Sequence, residues 1–546
     1  MFLQRDLGTS VPMRLYTMTK CYFVVVTIIF FLIIGFSVIL GVVGPNVSNR
    51  LIVSSPNHPS ITSLEASVYQ VDSPPFSVFH RELWLSAIIN RAPFEQNARV
   101  SVNINTSIKV QIPSHLATVN IGSATSKSDP DYENSMVQMG PVYNRTVQVN
   151  CPGTRCDELF LFHLIPIDFT IYKFRVTFYH ELINNHLEFE DYKDKHSLFK
   201  IISVDFILQY YTTEFTYMEL VVKFMLFVIS ELITIWFYIR MKKFNLNCWT
   251  IEQHCLAMLL PLLILYNNPL YPLRYLTINW FPSCLDYLFQ ITFVAVLLFV
   301  WLCIYHGIRI SKRTFQKFYL PKICLISIFW LIIFLIITWK VYVEHHEPVF
   351  DFLEYTELLI FIVVFISLFG FIYLVLLTVL LIRACHKLRK LPYFNLRLYF
   401  LTFQSVIFMI VVGFVYLSHF NEILLSQYIN SVRNVVESDN SNVSAHRQNY
   451  QSHMGLQYRF NDMLGHHSTL EFSMIQFTIN SYIALLAFVY SPPNSAHIEM
   501  DVKDDPSLSM INDSDEDVIY EYHRHYSISS VLASSSYKPV NECQAD

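Results

Sequence analysis

The sequence predicts an α-helical multi-pass membrane bundle, one N-terminal anchor helix plus a seven-helix core, carrying a lumenal or extracellular all-β sandwich domain. Three observations carry that prediction. The 546 residues are 53% hydrophobic and only 15% charged, against roughly a quarter charged for a soluble domain. Apolar runs long enough to span a bilayer recur along the chain. Between the first two runs, segments alternate apolar and polar residues with the period of a strand. The net charge of −5 says nothing about nucleic acid, and no basic cluster is large enough to suggest it as a partner.

Residues 1–20 form a cytosolic N-terminus with Arg5, Arg14 and Lys20. The first apolar run, 21–43, exceeds the usual 7–15-residue core of a cleaved signal peptide. Residues 21–44 therefore read as a signal anchor that stays; the alternative is a long signal peptide cut near Gly44.

Residues 45–215 are enough for a domain with its own core. Val100, Val102, Ile104, Thr106, Ile108, Val110 and Ile112 alternate with polar residues, and Tyr172, Phe174, Val176 and Phe178 do the same. Both stretches predict strands with one wet face. Segments 76–89 and 203–216 read as further strands. Cys151 and Cys156 flank a Pro-Gly turn, so a local disulfide suits an oxidising compartment. The competing reading, a zinc pair, lacks two nearby ligands.

The seven core runs fall at 218–239, 255–276, 281–305, 320–343, 358–382, 398–417 and 472–490, inside a bundle of residues 216–490. Arg309, Lys312, Arg313, Lys317 and Lys322 fill one loop, and Arg383, Lys387, Arg389, Lys390 and Arg397 another, without an acid in either. The positive-inside rule makes both cytosolic. That requires the awkward segment 249–273, with Pro261 inside it and Asn267-Asn268-Pro269 at its end, to cross the membrane. In this topology the acceptor sequons at Asn46, Asn105, Asn144 and Asn442 lie on the lumenal side. Both termini are cytosolic, and the compartments in view are Golgi, endosome and plasma membrane.

Glu231 lies about 13 Å along a helix from Arg240. An acid at such depth faces either a cavity or a packed partner. Asp286 and Gln404 are weaker versions of the same case, while Glu219 and Lys223, one turn apart, read as an interfacial pair. Pro261 and the Asn-Asn-Pro end break backbone hydrogen bonds, consistent with a cavity wall or with a plain kink. The acids and histidines of 344–347 read as a solvated loop rather than a metal site. No P-loop, G-x-S-x-G or H-E-x-x-H motif is present, so neither an enzyme nor a cofactor is expected. Residues 491–546 form a disordered acidic cytosolic tail. Ser514, followed by Asp515, Glu516 and Asp517, suits an acid-directed kinase, and the cluster suits sorting adaptors.

Several motifs in one order, Trp249-Thr-Ile-Glu-Gln-His, LLPLLILYNNP, Trp301-Leu-Cys-Ile-Tyr-His-Gly-Ile-Arg, Phe318-Tyr-Leu-Pro-Lys, Leu396-Arg-Leu-Tyr-Phe-Leu-Thr and Ala487-Phe-Val-Tyr-Ser-Pro, resemble the transmembrane protein 181 family. That family is similar to Wntless and to other proteins with a GOLD-like domain before a seven-helix bundle. The resemblance implies a GOLD-like sandwich on a receptor-like bundle and a place in secretory and endosomal traffic. The partners it implies are a lumenal protein or lipid-modified cargo, membrane lipids and, for some members, a bacterial toxin. It assigns no functional residues. The expected function is a trafficking or cargo receptor; the alternatives are a seven-helix signalling receptor and, behind it, a channel or transporter.

Overall fold

The computed structural model describes residues 11–54, 66–91, 98–111, 136–151, 154–179, 201–307, 314–350, 355–388, 402–403, 405–410, 413 and 469–494. Helix α1 (Lys20–Val43) begins where the Thr19 side chain accepts from the Tyr22 N–H. Eight strands follow: β1 (Ser48–Ser54), β2 (Ala66–Asp72), β3 (Leu83–Arg91), β4 (Ala98–Gln111), β5 (Met136–Cys151), β6 (Arg155–Leu164), β7 (Tyr172–Tyr179) and β8 (Ile201–Tyr211). They form two antiparallel four-stranded sheets, ordered β1-β8-β3-β6 and β2-β7-β4-β5. Ile104, Phe174, Phe178, Leu85, Phe206 and Leu208 interdigitate between the sheets as the sandwich core.

Strand β7 alternates buried and wetter residues, as its sequence predicts. Strand β3 is buried at nearly every position, because its outer face also packs on the bundle. There Trp84, Phe160 and Tyr211 meet Phe215 and Phe472 of two helices. The β6 edge is capped as well: the His163 N–H donates to the Pro348 carbonyl at 2.7 Å.

Two expected strands are shorter than their sequences suggest. Segment 76–89 begins with a 3-10 turn at Val78–His80, closed by reciprocal bonds between Ser77 and His80. Arg81 follows with φ 60°, and only then does β3 start. Segment 203–216 leaves the sheet at Tyr211, because Thr212 caps the next helix by accepting from the Phe215 N–H.

The helices after the sandwich are α2 (Thr213–Met241), α3 (Ile251–Tyr266), the single turn α4 (Leu273–Leu276), α5 (Phe281–Gly307), α6 (Leu320–His346), α7 (Thr356–Leu388) and α8 (Thr469–Tyr490). Among the described residues, six helices are long and apolar enough to cross a membrane, with α3 as a shorter seventh. The run 398–417 lies largely outside the described residues. Helix α1 packs along α8, where a Cβ on Gly41 would strike the Leu470 backbone and one on Gly44 the Thr469 side chain.

Helix α3 starts with a capping box between Thr250 and Gln253 and runs unbroken through Pro261. Its 16 residues rise about 24 Å, short of the roughly 30 Å apolar slab. One end touches the last turn of α8, where the Gln253 amide donates to the Tyr490 carbonyl. The other end reaches Asp286 in the second turn of α5 through Asn268. The segment does run the length of the bundle, finishing as unwound chain. Asn268 makes the turn with φ 48°, a conformation asparagine tolerates better than most residues.

Candidate functional site

The turn Arg81-Glu82 sits at the base of the sandwich, directly above the first turns of α2. Glu219 and Lys223 share the buried face of that helix with Thr216, Ser230 and Thr234. Their spacing of four positions puts both side chains on one stripe, and that stripe faces α3 and α5 instead of the membrane.

A single file of alternating charges results. Asp286 Oδ2 lies 3.3 Å from Lys223 Nζ. Lys223 Nζ lies 3.5 Å from Glu219 Oε1, and Glu219 Oε2 lies 3.5 Å from Arg81 Nη1. Arg81 Nε then meets Glu82 Oε1 at 3.0 Å, and Arg274 Nη2 meets the same oxygen at 3.1 Å. His163 Nε2 stands 3.5 Å from the other Glu82 oxygen, its ring stacked on Trp84. No side chain in the file is more than 10% exposed. Three acids, Asp286, Glu219 and Glu82, face three basic side chains, Lys223, Arg81 and Arg274, so the charges of the file balance. A neutral, fully paired set is the form in which buried charge is tolerated.

Polar groups finish the two ends. Asp286 Oδ1 accepts from the Asn268 amide at 2.7 Å, and Oδ2 accepts from the Gln290 amide at 3.0 Å. Lys223 Nζ also sits 3.6 Å over the Tyr271 ring. Deeper in the bundle, Asn267 and Asn480 exchange amide bonds of 2.8 and 3.0 Å, and Asn267 donates further to Ser230 and to the Leu226 carbonyl. Burial pushes the Glu82 carboxyl up, but Arg81, His163 and Arg274 outweigh it and hold the group well below the usual carboxylate range. Burial likewise works against the charge of Arg81, and the oxygens of Tyr271, Glu82, Tyr211 and Glu219 outweigh it, raising its pKa.

A pocket of about 50 Å³ opens beside the file, room for a few waters. Arg81, Glu82, His163 and Arg274 line it from one side, and Tyr287, Lys340 and Glu344 from the other. Lys340 and Glu344 pair at 3.3 Å. The stretch 344–347 is thus mainly the end of α6, not a solvated loop. Among the described residues no group of histidines, cysteines and acids is placed to hold a metal.

The sequence-marked residues distribute unevenly. Asp286 belongs to the file. Glu219 and Lys223 do pair, but buried (3% exposed each) and not at a wet interface. Glu231 is exposed on the outward face of α2 and Pro261 on the outward face of α3, and neither lines the pocket beside the file. Cys151 and Cys156 are joined in a disulfide. Asn46 and Asn144 are exposed and Asn105 is half-buried. Gln404, Asn442 and Ser514 lie outside the described residues. Sequence reasoning missed Arg81, Glu82, His163 and Arg274; they come from three separate short stretches, none of which carries a motif.

The boundary that the file bridges is also the boundary between two matched domains. Residues 67–211 match the TMEM181 GOLD domain, and residues 212–494 match the Wntless-like transmembrane domain. Human transmembrane protein 181 is 32% identical over 511 residues, covering 93% of this chain and 94% of the relative. With both domains matched and the likeness running nearly end to end, the chain belongs to the transmembrane protein 181 family of Wntless-like multi-pass membrane proteins.

Proposed function

We propose that the protein is a trafficking or cargo receptor whose sandwich lies on the lumenal or extracellular side and engages a secreted or lipid-modified protein. The observation that supports this reading most is the buried file from Glu82 to Asp286. A domain tethered only as a spacer has no need of it. A domain whose load must be felt by the membrane bundle does, because a shift of Arg81 leaves Glu219 and Lys223 unbalanced. The basic sequences that follow α5 and α7 favour a cytosolic location for those helix ends, and the acidic cluster around Ser514 then suits adaptor proteins.

Quantitative proteomics of surface and secreted proteins, with and without the chain, tests the reading. A narrow set of proteins lost from the surface or medium, restored by the wild-type chain but not by Glu82→Gln, is expected. An unchanged profile counts against a non-redundant cargo role. A second reading, a seven-helix signalling receptor, draws on the same file reaching the Asn267–Asn480 pair in the bundle. Ligand-evoked signalling without cargo loss would favour it.

A further inference from the structure

Two of the sequons meet in the sandwich. In the β4–β5 ladder, Asn105 stands directly opposite Asn144. Directly opposed residues put their side chains on the same face, with Cβ atoms about 4.5–5.5 Å apart. That face is the outer one, because the alternate residues Val102, Ile104 and Ile108 are buried in the core. It is also the face turned away from the bundle, since the other sheet is the one that rests on Phe215 and Phe472.

The neighbours leave little room to diverge. Strand β4 lies between β7 and β5, so Asn105 has Thr177 on one side and Asn144 on the other. Exposed Tyr179 stands opposite Asn103 in the next row. An N-glycan starts with a bulky amide-linked sugar. Two such stems would crowd each other, because they would rise from one cross-strand pair with Cβ atoms only about 4.5–5.5 Å apart.

We propose that this pair is a single glycan site: the folded protein carries one N-glycan there, on Asn144, and Asn105 stays bare. Asn144 is the exposed member and lies on the edge strand, and the third residue of its sequon, Thr146, is exposed too. The Thr146 hydroxyl donates to the Asn103 side chain, which holds the outer row in register beneath the sugar. Asn105 is half-buried on an inner strand, and its sequon passes through the buried Thr106. The sugar then crowns the distal sheet and leaves the seam near Glu82 clear. This rests on the reading that places the sandwich on the lumenal side.

The test is glycan counting on the full chain expressed in secretory-competent cells. Site occupancy in the wild-type chain is read by mass spectrometry after enzymatic deglycosylation. In parallel, gel mobility is read in an Asn46→Gln/Asn442→Gln background. The expected result is one glycan on this face, occupancy at Asn144, and no mobility change on adding Asn105→Gln. Asn105 becoming occupied only in Asn144→Gln also supports the exclusion. A two-glycan species in that background, or occupancy at Asn105 with Asn144 bare, overturns the proposal while leaving the lumenal placement intact. No glycan at any of the four sequons overturns both.

Discussion

Arg81 of the sandwich and Glu219 of α2 meet across the domain boundary, guanidinium to carboxylate at 3.5 Å, both largely withdrawn from solvent. Each is also tied within its own domain, Arg81 to Glu82 and Glu219 to Lys223. The contact therefore joins two local ion pairs into one file. Removing any member leaves a buried charge uncompensated.

Lys223 bridges two acids. Lys223→Met removes the cation beside Asp286 and one of the two beside Glu219. Breaking a buried pair from one side typically costs about 3–5 kcal/mol. Thermal unfolding of the purified chain in detergent should show a large loss. Adding Glu219→Gln and Asp286→Asn to Lys223→Met should recover part of it, and no recovery would count against electrostatics as the cause.

The backbone at Arg81 separates strain from charge. Its φ of 60° lies where a Cβ is unfavourable. Arg81→Ala and Arg81→Gly both delete the guanidinium, but only glycine relieves the backbone. The glycine variant should be the more stable of the two by about 1 kcal/mol, read from the same unfolding curves.

The Asn267–Asn480 pair makes a non-additive prediction. Asn267→Leu or Asn480→Leu alone leaves a buried amide short of a partner, at roughly 1–3 kcal/mol each. The double variant replaces both amides with apolar groups and should cost less than the sum of the singles. Additive losses would show that the two amides do not depend on each other.

His80 gives the sandwich a pH dependence of known sign. Burial lowers its pKa, with the Ser77 backbone working the other way. The neutral ring accepts the Ser77 N–H at Nδ1, 2.9 Å, and packs on Phe76 and Tyr210. The unfolded chain protonates nearer the ordinary value of about 6.5 and so binds more protons below it than the folded chain does. Stability is full above that value and is lost as pH falls toward the lower folded one. Melting of the full chain should drop between about pH 7.5 and 5.5, and His80→Gln should show a smaller drop. An equal drop in both would assign the dependence elsewhere.

What the sequence discloses depends on how many faces an element buries. Strands β4 and β7 are legible because one face is core and the other wet. Strands β3 and β6 are buried on both faces along most of their length, one against the opposite sheet and one against the bundle, so alternation disappears. In β5 the Gly140-Pro141 step interrupts the pattern. The long spans declare themselves by length and apolarity. Helix α3 does so only through its flanks, because its last stretch is unwound and sealed by asparagine side chains. The charged file is the least legible feature, since its members come from five separate segments. One half of a signal was present: Glu219 and Lys223, four apart in an apolar run, mark a buried pair. Nothing local in Arg81-Glu82 or Arg274 says that they complete it.

The central claim is that sandwich and bundle are coupled through buried charge, and a double-mutant cycle between Arg81→Met and Glu219→Gln measures it most directly. Unfolding free energies are needed for the wild type, both single variants and the double variant of the full chain. The account predicts a coupling energy within the 0.5–3 kcal/mol or so seen for residues in one network, with the double variant less damaged than the sum of the singles. Strict additivity would contradict it, and would mean that the two domains touch at this boundary without sharing a common electrostatic balance.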